Sequence, residues 1–294
     1  MNSLPDDILL RIFVFIPFVQ RIKLRTVSRR WNRLLLDSSL MRKISIIRRS
    51  CEDDDLLNLF SAATRLEEVS VRNSYAIEGY CILFANIGCL RKLDLTGCAI
   101  GDDILQKILE RCRDHLRELM LAGTNITSRC LPEIKSLSQL NNIVVPRERT
   151  SFTKEGVVDI VRNCPNLRSL SCEEGYSFSS HDIVAIVEVG PMLSTLLIPF
   201  SRIDDQMLTS VVQGLRNLQK LCVCETGVTS QGVRAVRDLK PQLEICWNEN
   251  CTPWILMHFL IARLANHLPQ PWVSGPTKRY IWQNKTSISA VAGQ

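Results

Sequence analysis

Four histidines (His115, His181, His258 and His267) and twelve cysteines are the side chains of this 294-residue chain that could ligate a metal, shuttle a proton or attack an electrophile. The histidines are scattered, and no pair of them stands at metal-ligand spacing with cysteines. Cys222-x-Cys224 falls in a stretch that reads as a strand, so both thiols share one face. Zinc would want two such pairs at defined spacing. A nucleophilic thiol needs a partnering base, and the sequence places none beside a cysteine. No glycine-rich phosphate loop occurs. The expectation is a chain with no catalytic residues, no metal site and no cofactor, whose cysteines are reduced, small core residues.

The elements that carry these residues follow from a repeat. Segments of the form L-x-x-L-x-L occur as Leu66-Val69-Val71, Leu90-Leu93-Leu95, Leu116-Leu119-Leu121, Leu140-Ile143-Val145, Leu167-Leu170-Cys172, Leu193-Leu196-Ile198 and Leu218-Leu221-Val223, with a weaker copy at Met41-Ile44-Ile46 and a decayed one from Leu243. Nine starts spaced by 24 to 27 residues are not accidental. Each coil would lay down one strand whose residues at offsets 0, +3 and +5 point inward, and stacking at about 4.8 Å would bury one continuous core. Eight residues after a start stand Ser74, Cys98, Thr124, Ser201 and Thr226, small groups able to hydrogen-bond backbone at a bend, although 148 is Glu and 175 is Gly. Helical spacing follows the bend: Ile104, Leu105, Ile108 and Leu109; Val157, Ile160 and Val161; Val184 and Val187; Leu208, Val211 and Leu215; Val233, Val236 and Leu239. Pro132 predicts a short or 3₁₀ turn in the coil after Thr124.

Leu90-Arg-Lys-Leu-Asp-Leu-Thr-Gly-Cys98 and Asn163-Cys-Pro-Asn-Leu-Arg-Ser-Leu-Ser-Cys172 closely resemble the cysteine-containing class of leucine-rich repeats. The resemblance covers residues 41 to 248 and implies a recognition scaffold: an α/β solenoid of about eight coils, with a curved parallel sheet lining the inside and helices outside. Residues 249 to 294 are then a C-terminal cap or tail. Trp254, Ile255, Phe259, Leu260 and Leu264 fall on one helix there, suited to covering the last coil or to acting as a partner-binding arm.

Residues 1 to 40 form a separate all-helical module. Ser3 stands three before Asp6 as in a capping box, and Pro5, Asp6 and Asp7 suit a first helical turn. Ile8, Leu9, Ile12, Phe13 and Ile16 make an apolar face ended by Pro17, and a second helical stretch runs through Leu24 and Val27 to Trp31, Leu34 and Leu35. Some forty residues are below the size that folds alone, so a partner surface is expected. Leu4-Pro5, Ile8-Leu9, Ile12-Phe13, Ile16-Pro17, Leu24, Val27-Ser28-Arg29-Arg30-Trp31 and Leu34 resemble an F-box in order and position. With leucine-rich repeats directly after it, the chain is similar to the F-box and leucine-rich-repeat family. That resemblance implies a non-catalytic substrate receptor of an SCF-type E3 ubiquitin ligase, docked through Leu4, Pro5, Ile8, Leu9, Ile12, Val27 and Trp31 on an adaptor subunit and through it on a cullin scaffold. Phe18-Val19-Gln20-Arg21 departs from the aspartate that often caps the second helix, and Phe15 is larger than usual. The alternative is a scaffold or inhibitor outside the ubiquitin pathway, whose leading helices only cap the solenoid.

An unknown protein substrate would meet the concave sheet, where offsets +2, +4, +6 and +7 point outward. The +2 column, Lys43, Glu68, Lys92, Glu118, Asn142, Ser169, Thr195 and Lys220, reads as a charge ladder that helps stack the coils. Met120, Val144, Pro146, Leu197, Pro199 and Phe200 are the candidate apolar contacts, for a partner or for the chain's own tail.

Residues 21 to 49 hold ten Lys/Arg against one acid, Asp37, a net +9, and the remainder carries 26 basic against 29 acidic residues. Positive charge confined to one segment fits an acidic protein surface, or a solvated helix face, better than nucleic acid. The start, Met-Asn-Ser-Leu-Pro-Asp-Asp, lacks the basic opening of a secretory signal. The apolar run Trp254 to Leu268 is too short to span a bilayer. A cytoplasmic or nuclear location, without membrane partners, is expected.

Overall fold

A computed structural model describes residues 4–47, 53–73, 82, 85–147, 152–172 and 176–247. Three short helices lead: α1 (Asp6–Val14), α2 (Phe18–Leu24) and α3 (Arg29–Leu35). Pro17 separates the first two and stands at the N-cap of α2. Ser28 then breaks the helical stretch expected to run through Val27. Its backbone is extended and its hydroxyl accepts the Trp31 N–H at 3.1 Å, so a fresh helix starts there. The capping box expected at the start of α1 rests on Ser3 and so cannot be followed in the described residues. Pro5 is the N-cap and supplies no side-chain cap, while the Asp6 carboxylate accepts from Arg30 Nε at 2.8 Å and Arg33 Nη2 at 2.9 Å on α3. Ser3 lies outside the described residues.

The strands β1 (Lys43–Ile47), β2 (Glu68–Arg72), β3 (Lys92–Asp94), β4 (Glu118–Met120), β5 (Asn142–Val145), β6 (Ser169–Cys172), β7 (Thr195–Leu197), β8 (Lys220–Cys222) and β9 (Glu244–Cys246) pair in sequence order as one parallel sheet. The chain is an α/β leucine-rich-repeat solenoid preceded by a small all-helical segment. Val69, Leu93, Leu119, Ile143, Leu170, Leu196 and Leu221 stand in one row across the sheet and are fully buried in a core that runs through the stack. The last coil departs from the period. Leu243 N–H bonds the Lys240 carbonyl just as Leu218 N–H bonds that of Leu215, yet Glu244 opposes Lys220. β9 therefore begins one residue early relative to its predecessors.

Behind the sheet lie α4 (Asp53–Ala62), α5 (Asp102–Cys112), α6 (Leu131–Lys135), α7 (Lys154–Asn163), α8 (Ser180–Val189), α9 (Asp205–Gly214) and α10 (Ser230–Leu239). The Pro132 coil has a 3₁₀ turn, Ser128–Cys130, before the five-residue α6, as the proline predicts. One helix is rotated from the expected phase: α8 buries Ile183 and Ile186 and leaves Val184 exposed, whereas α10 buries Val233 and Val236 as expected and leaves only its last residue, Leu239, exposed. In α8 every candidate position is apolar, so periodicity alone could not select the buried face.

The bend after each strand is built as its column of small residues requires. The hydroxyls of Thr124, Ser201 and Thr226 donate to carbonyls three residues back, at 2.7, 2.8 and 2.7 Å, and Cys98 Sγ reaches the Val71 carbonyl at 2.8 Å. The position just before each is left-handed: Asn73, Gly97, Gly123, Phe200 and Glu225 all have φ between 56° and 72°. Ser74, Glu148 and Gly175 lie outside the described residues. Of the nine described cysteines Cys89 alone is exposed. Burial pushes the Cys112 thiol up to about 12 and that of Cys164 up to about 11, which keeps both neutral in the core.

Candidate functional site

The leading helices divide their apolar residues between two tasks. Leu9, Phe13, Trp31, Leu34, Leu35 and Leu40 form a small core of their own, with the Phe13 and Trp31 rings edge to face at 4.9 Å. Phe18 instead joins the solenoid core with Met41 and Ile44, and Ile22 packs against the same cluster. Arg21 ties the junction: a guanidinium nitrogen donates to the Leu40 carbonyl at 2.7 Å, and the group lies 5.6 Å from the Phe18 ring centre. α2 thus covers the first coil, while α1 and α3 stand on it as a second layer.

That arrangement leaves one apolar stripe facing outward. Ile8 (36% exposed), Ile12 (44%) and Phe15 (87%) follow one another at i, i+4 and i+7 along α1, and the exposed Pro5 precedes them. Val27 (58%) lies in the turn between α2 and α3. Of the seven residues expected at the docking contact, Pro5, Ile8, Ile12 and Val27 are exposed, and Leu4 is half-buried against the small core. Leu9 and Trp31 are not surface residues. They are buried in that core and act by fixing α1 against α3. Phe15, seven residues after Ile8, extends the exposed stripe although it was not among the seven residues expected at the contact.

Asp6 helps to hold the stripe in place. Its hydrogen bond with Arg30 lowers its pKa, burial opposes this, and the charges of Arg30 and Arg33 add to the lowering. Arg42 pairs with Glu67 and Lys43 with Glu68, so the basic stretch is partly neutralised within the chain.

The concave face has two rows. The +2 row is a ladder as expected, with ion pairs Lys43–Glu68 at 2.6 Å, Lys92–Glu118 at 2.8 Å and Lys220–Glu244 at 3.6 Å. The +4 row runs Ser70, Asp94, Met120, Val144, Ser171, Leu197, Cys222 and Cys246. The six apolar candidates do not form an open contact zone. Met120, Val144, Pro146, Leu197 and Pro199 are buried and Phe200 is half-buried. They fall into two patches separated by the buried Ser171. Met120 and Val144 are neighbours joined by Ala122, whereas Leu197 sits with Cys222, Cys224 and Cys246.

Asp94 is the one carboxylate buried in the +4 row. It accepts from Arg72 Nε at 2.6 Å, from the Thr96 N–H at 3.1 Å and hydroxyl at 2.7 Å, and from Ser70 Oγ at 3.3 Å. Its partners stand 22 to 24 residues earlier in the chain or two residues later, so the cluster becomes visible only once the coils are in register. Among the described residues no helix is long and apolar enough to cross a membrane.

Residues 1–47 match the F-box-like family model. Solved structures similar to the chain include one from the yeast complex of Rad7 and Elc1, at 16% identity and a TM-score of 0.45 over 66% of this chain and 64% of that one. An internalin C2 from Listeria monocytogenes matches at 13% identity and a TM-score of 0.48, over 78% of this chain and 92% of that one. An internalin InlF from the same organism matches at 17% and 0.44, over 67% of this chain and 65% of that one. The chain therefore spans less than two thirds of the first and the third.

Proposed function

We propose that this chain is the substrate-recognition subunit of an SCF-type E3 ubiquitin ligase. Residues 1–40 would dock on the adaptor and through it on a cullin scaffold, and residues 41–248 would present the solenoid to a protein substrate. The reading rests on one observation, the outward stripe Pro5, Ile8, Ile12 and Phe15 on a helix that its own small core already holds rigid. A helix needed only as a cap would turn those residues inward. The match of residues 1–47 to the F-box-like model supports the same assignment.

In this role the protein breaks no bond. It raises the effective concentration of a substrate near a conjugating enzyme carried elsewhere in the assembly, and its action is proximity. Work in cytoplasm, nucleus or both belongs to this proposal. The role of residues 249–294, as cap or arm, lies outside the described residues.

Leu9 and Trp31 are poor positions for a test, because truncating either opens the small core. Replacing Pro5, Ile8 and Ile12 together by Ala removes exposed apolar surface and leaves that core intact. Adaptor binding should weaken by about 2 kcal/mol or more, read by co-precipitation and titration calorimetry. Undiminished binding by a folded triple variant would remove the docking surface from the proposal. A second reading, a scaffold or inhibitor outside the ubiquitin pathway, draws support from α2, whose Phe18 and Ile22 do cover the first coil. It requires that the wild-type chain fail to bind the adaptor at all.

A further inference from the structure

The distal end of the concave face holds three thiols that neither the repeat nor the docking reading uses. Cys222 lies on β8, and Cys246 stands opposite it on β9. Cys224 follows Cys222 by two residues, so the alternation of the extended chain returns it to the same face. Cys222 Sγ is 3.5 Å from Cys224 Sγ, which is 3.1 Å from Cys246 Sγ, and all three sulfurs lie within 4.8 Å of one another. All three residues are buried, Cys222 and Cys246 completely, with Leu197 beside them.

The shortened last coil creates this cluster. At the spacing of the preceding coil, Trp247 would oppose Cys222, but because β9 begins one residue early, Cys246 takes that place. The sequence offered only half a site, Cys222-x-Cys224, and the register supplies the third donor.

Core cysteines elsewhere in the solenoid behave differently. Cys98, Cys112 and Cys164 each point at a carbonyl oxygen, and Cys130 at the Asp102 carboxylate, as single thiols with oxygen acceptors do. The sulfurs of the distal trio in addition face one another. Thiolates around a zinc ion, with Zn–S near 2.3 Å, stand about 3.8 Å apart in a tetrahedron. Two of the three sulfur separations, 3.5 and 3.1 Å, are shorter than that and the third is within 4.8 Å, so an ion would seat with a small outward shift of the thiols. A disulfide would engage two of them and leave the third behind.

We infer that Cys222, Cys224 and Cys246 form a three-thiolate site for a soft, thiophilic cation, zinc(II) or copper(I), which clamps the last two coils of the solenoid together. Soft thiolate donors select these ions over magnesium, calcium or manganese. Binding involves no change of oxidation state. Each thiol that ligates gives its proton to solvent, so up to three protons leave per ion and affinity falls as pH is lowered. Copper(I) is satisfied by three sulfurs, and zinc would take water or one further donor as its fourth ligand.

The test uses the full-length chain, reduced and stripped of metal with a chelator. Zinc(II), cobalt(II) as its spectroscopic substitute, and copper(I) are added separately. One equivalent of zinc or copper(I) should bind, with proton release, and cobalt should give thiolate charge-transfer absorption. Retention of zinc but not copper(I) against a competing chelator assigns the ion as zinc, and the reverse assigns copper. Cys222→Ser and Cys246→Ser should each weaken uptake roughly tenfold or more, whereas Cys89→Ser, at an exposed cysteine away from the cluster, should bind as the wild type does. Absence from the wild-type chain of both cobalt–thiolate absorption and copper(I) uptake overturns the site without recourse to any variant. So does equal uptake by folded wild-type, Cys222→Ser and Cys246→Ser proteins, or a Cys224–Cys246 disulfide that persists under reducing conditions.

Discussion

Asp205 and Gly232 show how single residues join one coil to the next. Asp205, the first residue of α9, accepts from the Thr229 N–H at 2.7 Å and from its hydroxyl at 2.6 Å, and Thr229 is the N-cap of α10. Asp102 of α5 does the same for Thr127 one coil on, at 2.8 and 2.7 Å. The Thr229 hydroxyl and N–H hold the Asp205 carboxyl below its ordinary value. At Asp102 burial works to raise the pKa, and the Thr127 N–H and hydroxyl outweigh it. Because both folded-state values are depressed, the stability these groups add is complete above about pH 4, the unfolded carboxylate range, and is lost as pH falls through the folded values. Asp205→Ala should cost about 1 kcal/mol at neutral pH and flatten the acid limb of the stability profile, as chemical denaturation across pH would read. Gly→Ala in a helix ordinarily stabilises, yet Gly232→Ala should destabilise, since its Cβ would overlap the Asp205 carboxylate. The left-handed column yields a prediction of opposite sign. Glu225 is exposed at φ 56° where two other coils use glycine, so Glu225→Gly should raise stability by about 0.5–1 kcal/mol, seen as a higher midpoint in urea. None of these pairings was legible in the sequence, because an acid at a helix start reads as a dipole partner for its own helix until the adjoining coil is in place.

At the scale of elements, α1 and α2 carry similar apolar content and do opposite things with it. α2 buries Phe18 against the first coil, and α1 keeps Ile12 and Phe15 in solvent. Phe18→Ala should cost about 3 kcal/mol and loosen β1 and β2, read as faster amide exchange in residues 43–72. Phe15→Ala should leave stability within about 0.5 kcal/mol of the wild type. Strand existence was readable from the recurrence of L-x-x-L-x-L and Pro132 marked the five-residue α6 correctly, but the helical spacing picked out no helix in the first coil, where α4 (Asp53–Ala62) lies. What periodicity missed were choices between apolar neighbours, Ile183 over Val184 on α8, and the break at Ser28, where one hydroxyl reaching the Trp31 amide decides between one long helix and two short ones. The docking candidates were legible as a set, but their division into support (Leu9, Trp31) and exposed face (Ile8, Ile12) depends on how α1 leans on α3.

For the molecule as a whole, stability comes from contacts between neighbouring coils only, so damage should stay near its source. Ile143 sits in the inward row of β5 between Leu119 and Leu170 and is fully buried. Ile143→Ala should cost about 2–5 kcal/mol and weaken exchange protection in β4, β5 and β6 before it reaches β1 or β9. Loss of protection spread evenly from Lys43 to Cys246 would contradict this nearest-neighbour picture. The flatness of the apolar candidates on the concave face also belongs to this scale. Offset counting put Met120, Val144 and Leu197 on the correct side of the sheet, but not how deeply adjoining rows enclose them. The strand order of the sheet, unbroken from β1 to β9, bears finally on how the protein is made. Among the described residues each strand pairs with the one before it, so during synthesis each turn can add to a finished one behind it, with α2 already made to cover the first.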